Sequence, residues 1–223
     1  MFTGLVEELA HVVRVDASPH GAAFELAADK IMEDMQLGDS IAVNGVCLTV
    51  ERMQGDHFFV SAVPETLRRS NLGGLQAGDA VHVERAMSAS GRFGGHIVSG
   101  HIDGTGRVRE VRQDGIARVL VIEVDPALIR YMVDKGSVCV DGVSLTIMRV
   151  VGQAFSVSII PHTRGATRFG GVRPGEIVNI ECDIVAKYVE RLLMGGAAVE
   201  HEGAPGSTTG GITLDMLARH GFA

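Results

Sequence analysis

Asn44-Gly45-Val46-Cys47-Leu48-Thr49-Val50 and Asp141-Gly142-Val143-Ser144-Leu145-Thr146-Ile147 are one phrase written twice, with a thiol in the first copy where the second has a hydroxyl. Ser144 lies 97 positions after Cys47, and the same interval separates Pro64-Glu65-Thr66 from Pro161-His162-Thr163. It also separates Gly78-Asp79-Ala80-Val81-His82-Val83-Glu84 from Gly175-Glu176-Ile177-Val178-Asn179-Ile180-Glu181. Near the start the interval is 96, from Thr3-Gly4-Leu5-Val6-Glu7 to Ser99-Gly100-His101-Ile102-Asp103. An interval held across a whole half with one slip identifies a tandem duplication. The two copies are read as residues 1–96 and 97–193.

Each copy reads as strands. Ser40–Val43, Cys47–Met53 and His57–Val63 are short, β-branched-rich runs parted by turn residues at Asn44-Gly45 and Gln54-Gly55-Asp56. Ser137–Val140, Ser144–Val150 and Ala154–Ile160 repeat them around Asp141-Gly142 and Gly152-Gln153. Short strands at this spacing, with 29 glycines in the chain, predict small closed antiparallel barrels. One short helix per copy is expected, around Ile31–Met35 and Pro126–Tyr131. No Gly-rich turn leads from a buried strand into a helix, which argues against a dinucleotide-binding domain.

The pattern changes after the second copy. Over Ile184–Met194 the apolar residues Val185, Tyr188, Val189, Leu192 and Leu193 fall at helical spacing. Such a stripe either packs on its own barrel or buries itself against other copies of the chain. Gly195–Gly211 reads as a Gly/Ala/Ser/Thr-rich linker, and Ile212–His220 as a short amphipathic tail helix within 195–223.

The chain has 223 residues, 46% of them hydrophobic, and a formal net charge of −7. That charge offers no footprint for nucleic acid or an anionic membrane. The longest apolar runs fall well short of a bilayer span. Met1-Phe2-Thr3-Gly4 has neither the basic start of a signal peptide nor the second-position glycine of myristoylation. Cys47, Cys139 and Cys182 match no metal spacing, so no metal site is expected, and reduced thiols in the cytoplasm fit best.

Duplicated copies share what the fold needs, so their differences point to chemistry. Leu48 and Leu145 read as core. Thr49 and Thr146 share a strand face with Cys47 and Ser144. Leu5 in the first copy stands against His101 in the second, inside the Gly-rich run Gly94–Gly106 that lets a ligand approach the backbone. His101 is the natural proton carrier, whereas His96 is read as structural. This reading groups Cys47 with Thr49 in one pocket, and His101 with Ser144 and Thr146 in the other. Two near-identical pockets with a local break suit an enzyme that uses one kind of molecule in two roles.

Six stretches carry a further likeness: Met1–Glu8 (MFTGLVEE), NGVCLTV, Pro64–Gly73 (PETLRRSNLG), Gly94–Gly106 (GGHIVSGHIDGTG), DGVSLTI and Asn179–Leu193 (NIECDIVAKYVERLL). Together they resemble the riboflavin synthases of the alpha-subunit type, from Met1 to about Leu193. The resemblance implies an all-β fold of two tandem six-stranded Greek-key antiparallel barrels plus a C-terminal α-helix. It implies a cofactor-independent dismutation. Two molecules of 6,7-dimethyl-8-ribityllumazine exchange a four-carbon unit, giving riboflavin and 5-amino-6-(D-ribitylamino)uracil. It implies a homotrimer joined through the C-terminal helices, each active site lying between the first barrel of one subunit and the second barrel of the next. An association with lumazine synthase, the preceding enzyme, belongs to the same set of expectations.

Carried over position by position, first-barrel contacts would be Gly4, Leu5, Val6, Cys47, Leu48, Thr49, Ser61, Ala62, Val63, Pro64, Glu65 and Thr66. Second-barrel contacts would be Gly100, His101, Ile102, Lys135, Ser144, Leu145, Thr146, Ser158, Ile159, Ile160, Pro161, His162 and Thr163. His101, Ser144 and Cys47 match the proton-handling and nucleophile-positioning groups. The chain departs from the family over Arg164–Phe169, where a continuation like Leu67-Arg68-Arg69 is usual. The rival reading is a non-catalytic lumazine- or flavin-binding antenna protein of luminous bacteria. Those relatives keep the barrels but lose parts of the second catalytic set, all of which survives here.

Overall fold

The computed structural model describes residues 1–194 and Arg219, so the expected linker and the rest of the tail helix lie outside the described residues. The first six strands are β1 (Glu8–Ser18), β2 (Gly21–Ala27), β3 (Ser40–Val43), β4 (Val46–Gln54), β5 (His57–Ala62) and β6 (Ala80–Arg85). They close into an antiparallel barrel in the order β1-β2-β5-β4-β3-β6. The second six are β7 (Gly104–Asp114), β8 (Ala117–Val124), β9 (Ser137–Val140), β10 (Val143–Val151), β11 (Ala154–Ile159) and β12 (Ile177–Cys182). They close in the same order, β7-β8-β11-β10-β9-β12. In each barrel three hairpin-linked strands are followed by a fourth that returns beside the first of them, a Greek key.

Period-two burial drives the closure. In β4 the side chains of Val46, Leu48 and Val50 are buried while Cys47 and Thr49 face outward. Phe24, Leu26 and Phe58 fill the first interior; Leu120, Phe155 and Phe169 fill the second. Each such side chain contributes about 2–3 kcal/mol by leaving water. Bulges between Val12 and Arg14 and between Val50 and Arg52 recur between Val108 and Glu110 and between Ile147 and Arg149. They supply the bend that a small barrel demands.

The limits of β3, β4, β5, β9, β10 and β11, the strands placed from sequence, match to within a residue. The helices match less well. A single 3₁₀ turn, Lys30–Glu33, stands where a first-copy helix was expected, and the second-copy helix is one turn, Pro126–Ile129. Two helices escaped the reading, Pro64–Arg69 and Pro161–Ala166, although proline in the first turn announces both. The divergent Arg164–Phe169 segment keeps the local structure of its counterpart. Thr167 Oγ1 donates to Thr163 O at 2.6 Å just as Ser70 Oγ donates to Thr66 O at 2.6 Å.

β6 and β12 are buried on both faces because each meets the other barrel. Their outward side chains are therefore polar yet enclosed: His82 is 1% exposed, Glu84 5%, Asn179 0% and Glu181 1%. The backbone N–H of Asn71 donates to Asn179 Oδ1 at 2.6 Å, and that of Arg168 donates to His82 Nε2 at 2.9 Å. His82 Nδ1–H in turn donates to Asp141 O at 2.8 Å, so its partners fix one neutral tautomer. The Arg168 guanidinium pairs with Asp141 at 2.7 Å and with Glu176 at 3.3 Å.

Burial lowers the His82 pKa to about 4, against the opposing pull of Asp141 and with a smaller push from Arg168. The unfolded chain therefore takes up this proton first as pH falls through about 6.5. Stability held by neutral His82 is complete above that pH and is lost progressively towards pH 4, by up to about 3 kcal/mol. His82→Asn, which installs the residue found at the equivalent position 179, should flatten the melting-temperature profile between pH 7 and 5. An unchanged acid slope would show that another group is responsible.

The C-terminal helix spans Ile184–Met194 and buries none of its residues. Val185 and Tyr188 are more than half exposed and Val189 nearly so, so the barrel leaves the first turns of the stripe uncovered. A Lys187–Asp103 pair at 2.6 Å ties its first turns to the end of the second copy's opening segment.

Candidate active site

The two segments that precede the barrels change places. Ser144 N–H in β10 donates to Gly4 O at 2.8 Å, and Cys47 N–H in β4 donates to Gly100 O at 2.8 Å. Val6 packs against the second core and Ile102 against the first. Phe2 and Val98 pair with each other where the arms cross. Only glycine permits this approach. A Cβ on Gly4 (φ +75) would stand 2.6 Å from Ser144 Cβ, and one on Gly100 (φ +83) 2.5 Å from Cys47 Cβ.

The crossing corrects the grouping drawn from sequence. His101 does not stand with Ser144. With Gly100 and Ile102 it lines a cavity of about 230 Å³ that also includes Val46, Cys47, Glu65 and Thr66. The arm residues Gly4, Leu5 and Val6 belong with Ser144, in the second barrel. The first pocket therefore gathers Cys47, Glu65, Thr66 and His101, with Thr49 next along the same outward face of β4. Around Ser144 lie Thr146 on the same strand face and Leu5 on the arm; Ser158 follows on the adjoining β11.

Several expected contacts offer backbone only. Ala62 and Ile159 are 3% and 0% exposed, with side chains in the barrel cores, as is Leu48 at 6%. Leu145 packs partly on the second core. Ser61 donates to Glu51 at 2.8 Å on the outer surface. Val63 and Ile160 stand at the N-cap positions of the missed helices and are 62% and 53% exposed, equivalent apolar side chains on the two barrels. Pro64 and Pro161 open those helices. Glu65 is held by Arg68 at 2.6 Å and Arg69 at 2.9 Å, whereas the equivalent His162 is followed by Gly165 and Ala166. The first pocket is thus rimmed by a fixed carboxylate and guanidinium, and the second is not.

His96 is the residue that sequence reasoning missed. Its Nδ1 lies 2.6 Å from Ser144 Oγ, while its Nε2 is buried with no hydrogen-bond partner. Burial lowers its pKa, partly offset by the Asp183 carboxylate. A neutral imidazole on a hydroxyl can accept or relay a proton. The repeat could not mark it, because its counterpart would precede Met1; the flanking Gly94-Gly95 was the only signal.

Lys135 adopts φ +68 at the position where the first barrel has Gly38, at φ +89. A lysine held in left-handed backbone is strained by about 1 kcal/mol. Lys135→Gly should accordingly raise the melting temperature while weakening ligand binding. A variant that loses stability would contradict this reading.

Among the described residues no group of three or more His, Cys, Asp or Glu is placed to hold a metal ion. A family model described as the lumazine binding domain matches residues 3–86 and again 99–183. A riboflavin synthase of Actinobacillus pleuropneumoniae is 44% identical over 222 residues, covering 100% of both chains. The chain belongs to the riboflavin synthase family. Riboflavin synthases of Bacillus subtilis (strain 168), 42% identical over 100% of both chains, and of Schizosaccharomyces pombe, 43% identical over 86% of this chain and 94% of that one, are similar as well. Each lumazine-binding match begins in an arm, at Thr3 or Ser99, although that arm serves the other barrel's pocket. Among solved structures, LumP complexed with 6,7-dimethyl-8-(1'-D-ribityl) lumazine has a TM-score of 0.75 and LumP complexed with riboflavin 0.77. Both are 21% identical and cover 82% of this chain and 99% of theirs, which establishes the shared fold alone.

Proposed function

We propose that the chain converts two molecules of 6,7-dimethyl-8-ribityllumazine into riboflavin and 5-amino-6-(D-ribitylamino)uracil. The observation that carries this reading is 44% identity to a riboflavin synthase over the full length, together with two equivalent sites, a cavity bearing Cys47 and His101 and a Ser144–His96 pair at the matching place on the second barrel. The products contain all the atoms of the two substrates, so no oxidant or reductant is required. The 7-methyl group of the lumazine is acidic because its carbanion delocalises into the ring. One pocket must accept that proton while the other activates its ligand towards attack. His96 on Ser144 and His101 beside Cys47 are the groups placed for these steps. Holding two flat heterocycles in register supplies the orientation part of the acceleration.

The exposed apolar stripe of Ile184–Met194 supports a homotrimer joined through these helices, with each active site formed by the first pocket of one subunit and the second of its neighbour. Residues 1–96 and 97–193 are the duplicated units of that assembly. If so, mixing His101→Ala with Ser144→Ala protein restores activity through sites that receive one intact pocket from each. No recovery on subunit exchange would place both pockets of a site in one chain. Three free cysteines fit a cytoplasmic enzyme, and association with lumazine synthase would deliver its substrate.

The test is turnover with the lumazine as sole substrate. Two lumazines should disappear for each riboflavin formed, and dialysis against a chelator should leave the rate unchanged. Tight binding without conversion would instead establish an antenna-type binding protein.

A further inference from the structure

We propose that Glu84 and Glu181 are positioning residues, each setting the ligand pocket of the opposite barrel. Glu181 lies on β12 of the second barrel. Its carboxylate accepts from Ser99 N–H at 2.6 Å, Ser99 Oγ at 2.7 Å and Gly100 N–H at 2.9 Å. Gly100 then accepts the Cys47 N–H, so a continuous hydrogen-bonded path runs from the second barrel to the floor of the first pocket. Glu84 mirrors it from β6. Its carboxylate accepts from Thr3 N–H and Thr3 Oγ1 at 2.7 Å each and from Gly4 N–H at 3.0 Å, and Gly4 accepts the Ser144 N–H.

A carboxylate buried to this depth is retained only when its oxygens are satisfied. Among the described residues every hydrogen bond to either carboxylate comes from an arm and none from the glutamate's own barrel wall. Each glutamate therefore fixes the height and angle at which Gly-His-Ile or Gly-Leu-Val is laid across a pocket to which it does not itself belong. Substituting one of them should alter the far pocket first. This inference deepens the two-pocket reading of function and rests on it only for its meaning; its test needs no ligand.

Cys47 is part-exposed beneath the Gly100 arm, while Cys139 and Cys182 are buried at 1% exposure. Burial pushes the Cys139 thiol well up and the Cys182 thiol to about 12. Iodoacetamide on the native protein thus reads Cys47. Losing charge-assisted hydrogen bonds to the arm should speed its alkylation on the order of tenfold in Glu181→Gln. Glu84→Gln should leave that rate within about twofold, because its arm lies elsewhere. If Glu181→Gln does not fold, as judged by circular dichroism, Ser99→Ala removes one of the three bonds and should still speed alkylation several-fold. Equal acceleration by both glutamate variants, acceleration by Glu84→Gln alone, or an unchanged rate in folded Glu181→Gln or in Ser99→Ala overturns the proposal. Riboflavin protection of Cys47 in the unaltered chain is a separate arm. Its failure would count against the proposed function and leave the alkylation comparison standing.

Discussion

Gly100→Ala is expected to lower turnover by about 10²-fold or more in a protein that still folds, since a misplacement on the order of 1 Å within an active site can cost that much. The new methyl would stand 2.5 Å from Cys47 Cβ and 3.0 Å from the Cys47 backbone nitrogen, at a residue with φ +83. β4 is held between β3 and β5 by its ladder, so the arm is the element that yields. It carries His101 away from the pocket and breaks the Gly100–Cys47 hydrogen bond. Gly55→Ala is the matched control. Gly55 has φ +64 and nothing within 4 Å of an added Cβ, so it imposes the backbone strain without the collision. Thermal melting should fall in both variants and further in Gly100→Ala, while only Gly100→Ala should lose its steady-state rate with the lumazine at a temperature where both are folded. Loss of activity in Gly55→Ala to the same degree would attribute the effect to stability rather than to the arm.

The second large effect is expected at His96. His96→Ala should reduce turnover by about 10²–10³-fold, in the range typical of a positioned acid–base group. The 2.6 Å contact to Ser144 Oγ joins the two residues into one proton-handling unit, so Ser144→Ala in the His96→Ala background should add little. His96 is neutral when it accepts from the hydroxyl, and burial has already moved its pKa below the ordinary 6.5. The acid limb of the rate profile should therefore lie below pH 6.5 and disappear in His96→Ala. His101→Ala should also be slow, but its defect belongs to the other pocket and should combine with that of Ser144→Ala. Activity of His96→Ala near that of the unaltered protein would return this residue to a structural role.

The duplication made much of the fold readable. Once Cys47 and Ser144 were aligned, strand positions, turns and the outward face shared with Thr49 and Thr146 followed from period-two patterning. The helix over Ile184–Met194 followed from its stripe in the same way. What could not be read is the crossing of the arms. Gly4 over Ser144 and Gly4 over Cys47 give the same repeat interval, and only three-dimensional packing distinguishes them. His96 escaped because it has no partner in the other copy, and comparison between copies was the tool that marked His101. Glu84 and Glu181 were aligned with each other from the start. Their importance lies in burial against the opposite barrel, which a strand pattern of alternating polar and apolar residues reports as solvent. The expected helices at Ile31–Met35 and Pro126–Tyr131 came out as single turns.

Crossed arms are the centre of this account, and a crystal structure with riboflavin bound tests them most directly. In the first barrel the flavin should lie against Cys47 and Thr66 with His101 and Ile102 across it. In the second it should lie by Ser144 and Thr146 beneath Leu5. A flavin held by Ser144 and His101 together, or by Cys47 and Leu5 together, would contradict the crossing and the assignment of residues that depends on it.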